Sequence, residues 1–404
     1  MNNAAAIPEF SHRRNALCFA VAHGTSAFAY EFLTFFMTLH LYQLTGRAVD
    51  MGVLLAVSFV PRLFSPFYGN LTDRLPRRTL FVMTCLLAAA CTLMLAGQRQ
   101  VAGIYVIWLM VSTLAMILLN LRTAIMPQVV PQHRYASANA VMLILLNLAR
   151  LAAPLLGACL AQRQPVVLVF SFAAATYGLA VLAATPLRLP PAEATAHAQA
   201  QSVLSSLREG LTTIVRSHDL ATLGTICVIW RLCLGFQGAL MIVYVQQGLH
   251  GGTSEFAMMS IALALGSIAG SALGPGVARR ASPRRLMIVG INMHFACVAA
   301  LGLITDYSLA LATAAFANLV LYCAAVAVHS IRDSATNNER RGRVYGCITA
   351  LTAPPALISV LVGGFLADRW GVRPVFAMGG ITAIVACIPM FIALRQPRAI
   401  ANLR

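Results

Sequence analysis

Residues 69–78 read Gly-Asn-Leu-Thr-Asp-Arg-Leu-Pro-Arg-Arg, and residues 274–285 read Gly-Pro-Gly-Val-Ala-Arg-Arg-Ala-Ser-Pro-Arg-Arg. Each is a short basic turn that follows a long apolar run, and the two begin 205 positions apart. Two further pairs keep that spacing. Arg134-Tyr-Ala-Ser-Ala-Asn-Ala corresponds to Arg341-Gly-Arg-Val-Tyr-Gly at an offset of 207, and Ala161-Gln-Arg corresponds to Ala367-Asp-Arg at 206. Three near-equal offsets mark an internal duplication of about half the chain.

Composition says what is duplicated. Of the 404 residues 59% are apolar and 10% charged, with a mean hydropathy of +0.78; soluble domains carry about 25% charged residues. At roughly 20 residues per span, the chain holds about twelve membrane helices and no sizeable aqueous domain. Apolar runs predict helices near 15–42, 51–69, 79–97, 101–121, 138–161 and 166–185, then near 220–246, 256–277, 286–304, 309–330, 344–366 and 374–393. The expected fold is therefore all-α. A six-helix bundle over 1–186 and another over 220–404 are joined by a linker, 187–219, that holds Pro190 and Pro191. An even number of helices separates the copies, so both halves have the same orientation around a central cavity. Arg13 and Arg14 precede an apolar run too long for a signal-peptide core, so that segment is expected to remain as the first helix.

The formal charge of +17 would suggest nucleic acid in a soluble protein. Here the basic residues, all Arg, sit in turns between apolar runs and read as topology signals. By the helix map, 21 of the 29 lie at the termini and even-numbered turns, against five (Arg47, Arg99, Arg163, Arg369, Arg373) in the opposite turns. That imbalance places both termini and the linker in the cytoplasm of a bacterial inner-membrane protein. The ten Cys lie in apolar runs with no C-x-x-C pair, so no metal or cofactor is expected. The expected partners are a small-molecule substrate, protons and the lipid bilayer, and a monomer would suffice.

Residues 69–78 resemble the loop signature G-x-L-x-D-R-x-G-R-R between helices 2 and 3 of the major facilitator superfamily, with Pro76 in the Gly position. Leu41-Tyr-Gln-Leu-Thr-Gly, Val60-Pro-Arg-Leu, Ala124-Ile-Met-Pro-Gln-Val-Val-Pro, Ser137-Ala-Asn-Ala, Leu148-Ala-Arg-Leu-Ala-Ala-Pro-Leu-Leu-Gly and Gly342-Arg-Val-Tyr-Gly resemble the branch with macrolide efflux pumps and the enterobactin exporter. The resemblance spans nearly the whole chain and implies a secondary transporter. Pro154 and Gly157 lie in a stretch similar to the superfamily's antiporter motif, with Ala at two of its Gly positions; it implies export. In the loop signature, Gly69, Asp73, Arg74, Arg77 and Arg78 form a conformational latch, with Asp73 able to cap a cytoplasmic helix of the other half and the Arg residues able to hold headgroups or partners.

Charge deep in a membrane helix is costly and needs a partner, water or a function. Glu31, Arg62, Arg150 and Arg231 all fall roughly 15–18 Å inside their helices at 1.5 Å per residue, near the midplane where transporters of this design bind substrate. Glu31 is the only acid at that depth. It is either the proton carrier or the structural partner of Arg62. Desolvation favours a neutral acid and a nearby guanidinium favours the carboxylate, so a switch between the two environments loads and releases a proton. One acid against three Arg favours an anionic or oxygen-rich substrate such as a siderophore, whose oxygens Arg binds bidentately; multidrug efflux is the alternative. Trp230, Gln237 and Tyr30 join the Arg residues as candidate substrate contacts. Phe35, Phe236, Tyr244 and Tyr322 are candidate cavity aromatics, and His23 and His294 candidate relay groups. Arg122 falls just past the predicted end of the fourth helix. No H-E-x-x-H, G-x-S-x-G or paired-acid pattern supports a membrane-embedded enzyme.

Overall fold

A computed structural model describes residues 9–64, 68, 71–72, 75–130, 135–187, 189, 211–334 and 341–395. Among them there are helices and turns but no strands. The helices are α1 (Glu9–Thr45), α2 (Ala48–Leu63), α3 (Arg77–Ala96), α4 (Val101–Val129), α5 (Tyr135–Arg163), α6 (Val166–Ala184), α7 (His218–Leu234), α8 (Gln237–Val243), α9 (Thr253–Arg280), α10 (Pro283–Leu301), α11 (Tyr307–Ser334), α12 (Arg341–Trp370) and α13 (Val372–Arg395). Eleven helical stretches among the described residues are long and apolar enough to cross a membrane, with α8 completing the span begun by α7. α2 is a further apolar helix whose described part is 16 residues long.

Local chemistry sets the ends. Pro76 and Pro165 precede α3 and α6, where a missing N–H removes no helical bond. The Ser217 and Ser282 hydroxyls accept from the Leu220 and Arg285 N–H groups at the starts of α7 and α10. Gly46 and Gly371 turn the chain between α1 and α2 and between α12 and α13 with φ of +63° and +84°, a region that side chains with a Cβ avoid.

The bundle is inverted relative to a soluble protein in what it exposes. Leu182, Val106 and Met94 are each at least 60% exposed on helices α6, α4 and α3, a cost that only a lipid surround removes.

The chain divides into two compact units, one of residues 1–41 and 57–199, the other of residues 42–56 and 200–404. The first has a core of Phe19, Phe81, Cys85, Leu121, Ile125 and Tyr177 from α1, α3, α4 and α6. In the second, the paths of α9 and α11 run so close that a Cβ on Gly266 would meet the Ala315 carbonyl oxygen, and one on Gly270 the Leu319 oxygen. Small residues permit that backbone approach in lipid.

Two predicted helices depart furthest from the observed ones. The fourth runs to Val129 rather than 121, because Arg122, Thr123 and Gln128 are tolerable helix residues that a hydropathy boundary discards. The seventh, predicted as one helix over 220–246, is broken at Gly235 and Phe236. There the Phe236 N–H donates to the Ser359 hydroxyl at 3.2 Å, and the Phe236 ring occupies a notch left by Gly363 and Gly379. The second piece ends in a π turn, Tyr244–Gly248.

Candidate functional site

Helical spacing gathers polar groups on one face of each of four helices in the first unit. On α1 they are His23, Ser26, Tyr30 and Glu31, three to four residues apart. On α4 they are Ser112 and Arg122, ten apart with Met116 and Leu119 between. Ser58 and Arg62 on α2 are an i, i+4 pair, and α5 contributes Arg150, with the apolar Leu146 one turn before it. These faces converge on a cavity of about 200 Å³ lined by all of the residues just named, with Ala27, Ala115 and Leu118.

The walls are built by specific contacts. The Tyr30 ring stacks on Trp108 with centroids 6.1 Å apart and planes 8° from parallel. Trp108 is fixed in turn by its indole N–H, which donates to the Ser58 hydroxyl at 2.8 Å. The Thr34 hydroxyl donates to the Tyr30 carbonyl at 2.7 Å, and the Ser26 hydroxyl to the His23 carbonyl at 2.9 Å. The His23 ring stacks on Phe19. A Cβ on Gly157 would lie 2.7 Å from the Phe35 ring, so the Gly at this position lets α5 approach α1.

Charge is the cavity's main feature. Glu31 accepts from Arg150 at 3.2 Å between Oε1 and Nε. The guanidinium carbon of Arg62 sits 4.6 Å from the centre of the Phe59 ring. The partner of Glu31 is thus Arg150, where the sequence offered Arg62. Arg62 is one turn further along α2 and turned toward Phe59, whereas α5 carries Arg150 directly to the α1 face that holds Glu31. Arg122 also lines the cavity. It was missed because hydropathy ended the fourth helix at 121; extending the Ser112, Met116, Leu119 spacing by one step would have found it. Three guanidinium groups therefore face one carboxylate here, the same excess that sequence reading reached by counting Arg231.

The remaining candidate residues are elsewhere. Arg231, Trp230 and Gln237 belong to the second unit and do not line this cavity; Arg231 stacks over Trp230 at 4.6 Å. His294 is fully buried, with Nδ1 3.1 Å from the Ala317 carbonyl oxygen and its ring edge-on to Trp230. Phe236 and Tyr244 pack on Phe376, and the Tyr244 hydroxyl donates to the Leu301 carbonyl at 2.7 Å. In the loop signature, Arg77 donates from Nη1 to the Ala124 carbonyl at 2.9 Å, tying α3 to α4, and Arg78 is exposed. Gly69, Asp73 and Arg74 lie outside the described residues. Pro154 is inside α5. No group of three or more His, Cys, Asp or Glu residues could hold a metal ion among the described residues.

Comparison with known proteins gives one consistent answer. The chain is 24% identical over 367 residues to the uncharacterized MFS-type transporter YfiS of Bacillus subtilis, covering 86% of this chain and 85% of that protein. It is 23% identical over 414 residues to the multidrug efflux pump Tap of Mycobacterium tuberculosis, covering 98% and 95%. Among solved structures, a mutant of the nucleoside transporter NupG superposes with a TM-score of 0.80 at 13% identity, covering 95% of this chain and all of that one. A bacterial homologue of the human lysosomal transporter Spinster gives 0.76 at 12%, covering 96% and 98%. The sequence profile of the Major Facilitator Superfamily matches residues 19–351, and with the helical fold and the cavity of the first unit it makes this chain a multi-pass membrane transporter belonging to that superfamily.

Proposed function

We propose that this transporter exports a small oxygen-rich or anionic molecule across a bacterial inner membrane, in exchange for protons, with both termini in the cytoplasm. The observation that carries the reading is the cavity charge: Arg62, Arg122 and Arg150 around the single acid Glu31. Arg122 and Arg62 present planar donor forks suited to carboxylate or catecholate oxygens.

The Glu31 to Arg150 pair sets the sign of coupling. A simple anion that displaced Glu31 from Arg150 would leave the carboxylate desolvated and favour its protonation, so anion and proton would bind together. Exchange in opposite directions requires a substrate that needs the ionised acid. Such a molecule gives a hydroxyl donor to Glu31 and acceptor oxygens to the Arg residues, as the adjacent hydroxyl and carboxylate groups of a siderophore building block do. A proton on Glu31 then competes with it.

The second reading, multidrug efflux, is favoured by the similarity to the pump Tap and by the Tyr30 ring in the cavity lining, backed by Trp108, a flat surface for apolar rings. Retention of radiolabelled 2,3-dihydroxybenzoate and erythromycin in cells lacking the gene, with and without the gene restored, separates the two. Retention of the acid alone supports the first, and of the macrolide alone the second. Equal retention of both with and without the gene would remove both substrates.

A further inference from the structure

The cavity of the first unit is polar at two levels and apolar between them. Helical rise separates His23 from Glu31 on α1 by about 12 Å, and Ser112 from Arg122 on α4 by about 15 Å. One level holds Tyr30, Glu31, Ser58, Arg62, Ser112 and Arg150. The other, nearer the start of α1 and the end of α4, holds His23 and Arg122. Ala27 on α1, Ala115 and Met116 on α4, and Leu146 on α5 line the stretch between.

The two levels differ in how their charges are answered. At the first, the Glu31 carboxylate meets one guanidinium, that of Arg150. At the second no acid lines the cavity, and Arg122 lies close enough for its charge to act on the His23 ring. His23 is 8% exposed, and its Nδ1 has no hydrogen-bond partner among the described residues. Its ring stacks on Phe19 and its carbonyl accepts from Ser26, so neither contact uses that nitrogen. A buried polar atom without a partner costs free energy, as does a guanidinium at membrane depth with no acid beside it. One group relieves both costs: an anionic oxygen that accepts from the His23 Nδ1–H and faces the Arg122 guanidinium.

We propose that His23 and Arg122 form a second anion subsite, and that the substrate is a two-ended molecule that occupies both levels at once. Its chemical class follows from the lining. One end offers hydroxyl and carbonyl oxygens to Glu31, Arg62 and Arg150, the middle is apolar, and the far end is a carboxylate. A lone hydroxybenzoate fills the first level only; an N-acyl amino acid built on the same ring reaches both. His23 is then a specificity-determining residue that selects for length and terminal charge. The proposal rests on the oxygen-rich substrate reading given above and narrows it.

The test is equilibrium binding to the purified full-length transporter in nanodiscs, read by titration calorimetry with three probes. They are 2,3-dihydroxybenzoate, its conjugate N-(2,3-dihydroxybenzoyl)glycine, and 2,3-dihydroxy-N-propylbenzamide, which has nearly the conjugate's length and no terminal charge. The conjugate should bind about tenfold more tightly than the propylamide, the size of one charge-assisted contact. In His23→Ala or Arg122→Gln protein that advantage should largely disappear, and His23→Gln, which keeps a donor, should retain part of it. Glu31→Gln should weaken both amides in parallel and keep their ratio, because it acts at the other end. The wild-type comparison needs no variant, and thermal unfolding shows whether each variant is folded. Equal binding of conjugate and propylamide by the wild-type protein, or an unchanged ratio in folded His23→Ala protein, would overturn the second subsite; binding of 2,3-dihydroxybenzoate would then leave the oxygen-rich reading standing. Absence of binding by all three probes would overturn both.

Discussion

Replacing Glu31 with Gln tests the core of the proposed mechanism, and the structure sets the size of the effect. The carboxylate meets Arg150 at 3.2 Å, with side chains 25% and 40% exposed to the cavity. At 4 Å and an effective dielectric of 20 the Coulomb attraction is about 4 kcal/mol, but that degree of exposure screens it. A fully buried pair broken on one side costs about 3–5 kcal/mol; here about 1–2 kcal/mol is the reasonable figure. Gln keeps the shape and can still accept from Arg150, so Glu31→Gln should insert and express near the wild-type level. Its amide resembles the protonated acid and cannot give up a proton, so uphill export driven by a pH gradient should be lost, and the substrate, which needs the ionised acid, should also bind more weakly in downhill exchange. The assay is pH-driven movement of the radiolabelled compound retained in the knockout test, in inverted vesicles, for Glu31→Gln, Arg150→Gln and the double variant. Undiminished uphill export by well-expressed Glu31→Gln protein would refute the coupling role. Poor expression restored by adding Arg150→Gln would show that the pair serves only to hold α1 to α5.

Arg122→Gln should weaken apparent substrate affinity about tenfold, the loss of one charge-assisted contact of about 1.5 kcal/mol, with insertion unchanged; unaltered affinity would remove Arg122 from the site. Reporters fused at the C-terminus or within 190–200 should be cytoplasmic by the Arg distribution, and a periplasmic signal from either would overturn the proposed orientation. Asp73→Asn should depress transport while leaving membrane insertion intact, and wild-type transport rates would take Asp73 out of the switching mechanism. Gly157→Leu should destabilise the first unit by about 1–3 kcal/mol, because the Phe35 ring already stands where the new Cβ would go; an unshifted melting temperature would contradict that packing.

Local rules alone determined a good deal of this protein. Hydropathy runs of membrane length gave the helices, since a spanning segment must satisfy its own backbone, and equal offsets between Gly69 and Gly274 gave the duplication. Depth along each helix brought Glu31, Arg62 and Arg150 to one level, because rise per residue is fixed. The tertiary structure decided how the helix faces turn toward one another. Rotation about a helix axis leaves depth unchanged, so no linear reading could tell that Arg150 rather than Arg62 reaches Glu31. Arg122 entered the cavity through a helix whose polar end hydropathy had cut short. The cap that Asp368 places on α2, where it accepts from the Ala48 and Val49 N–H groups, joins residues up to 320 positions apart, and only the packed chain brings a carboxylate to those two N–H groups.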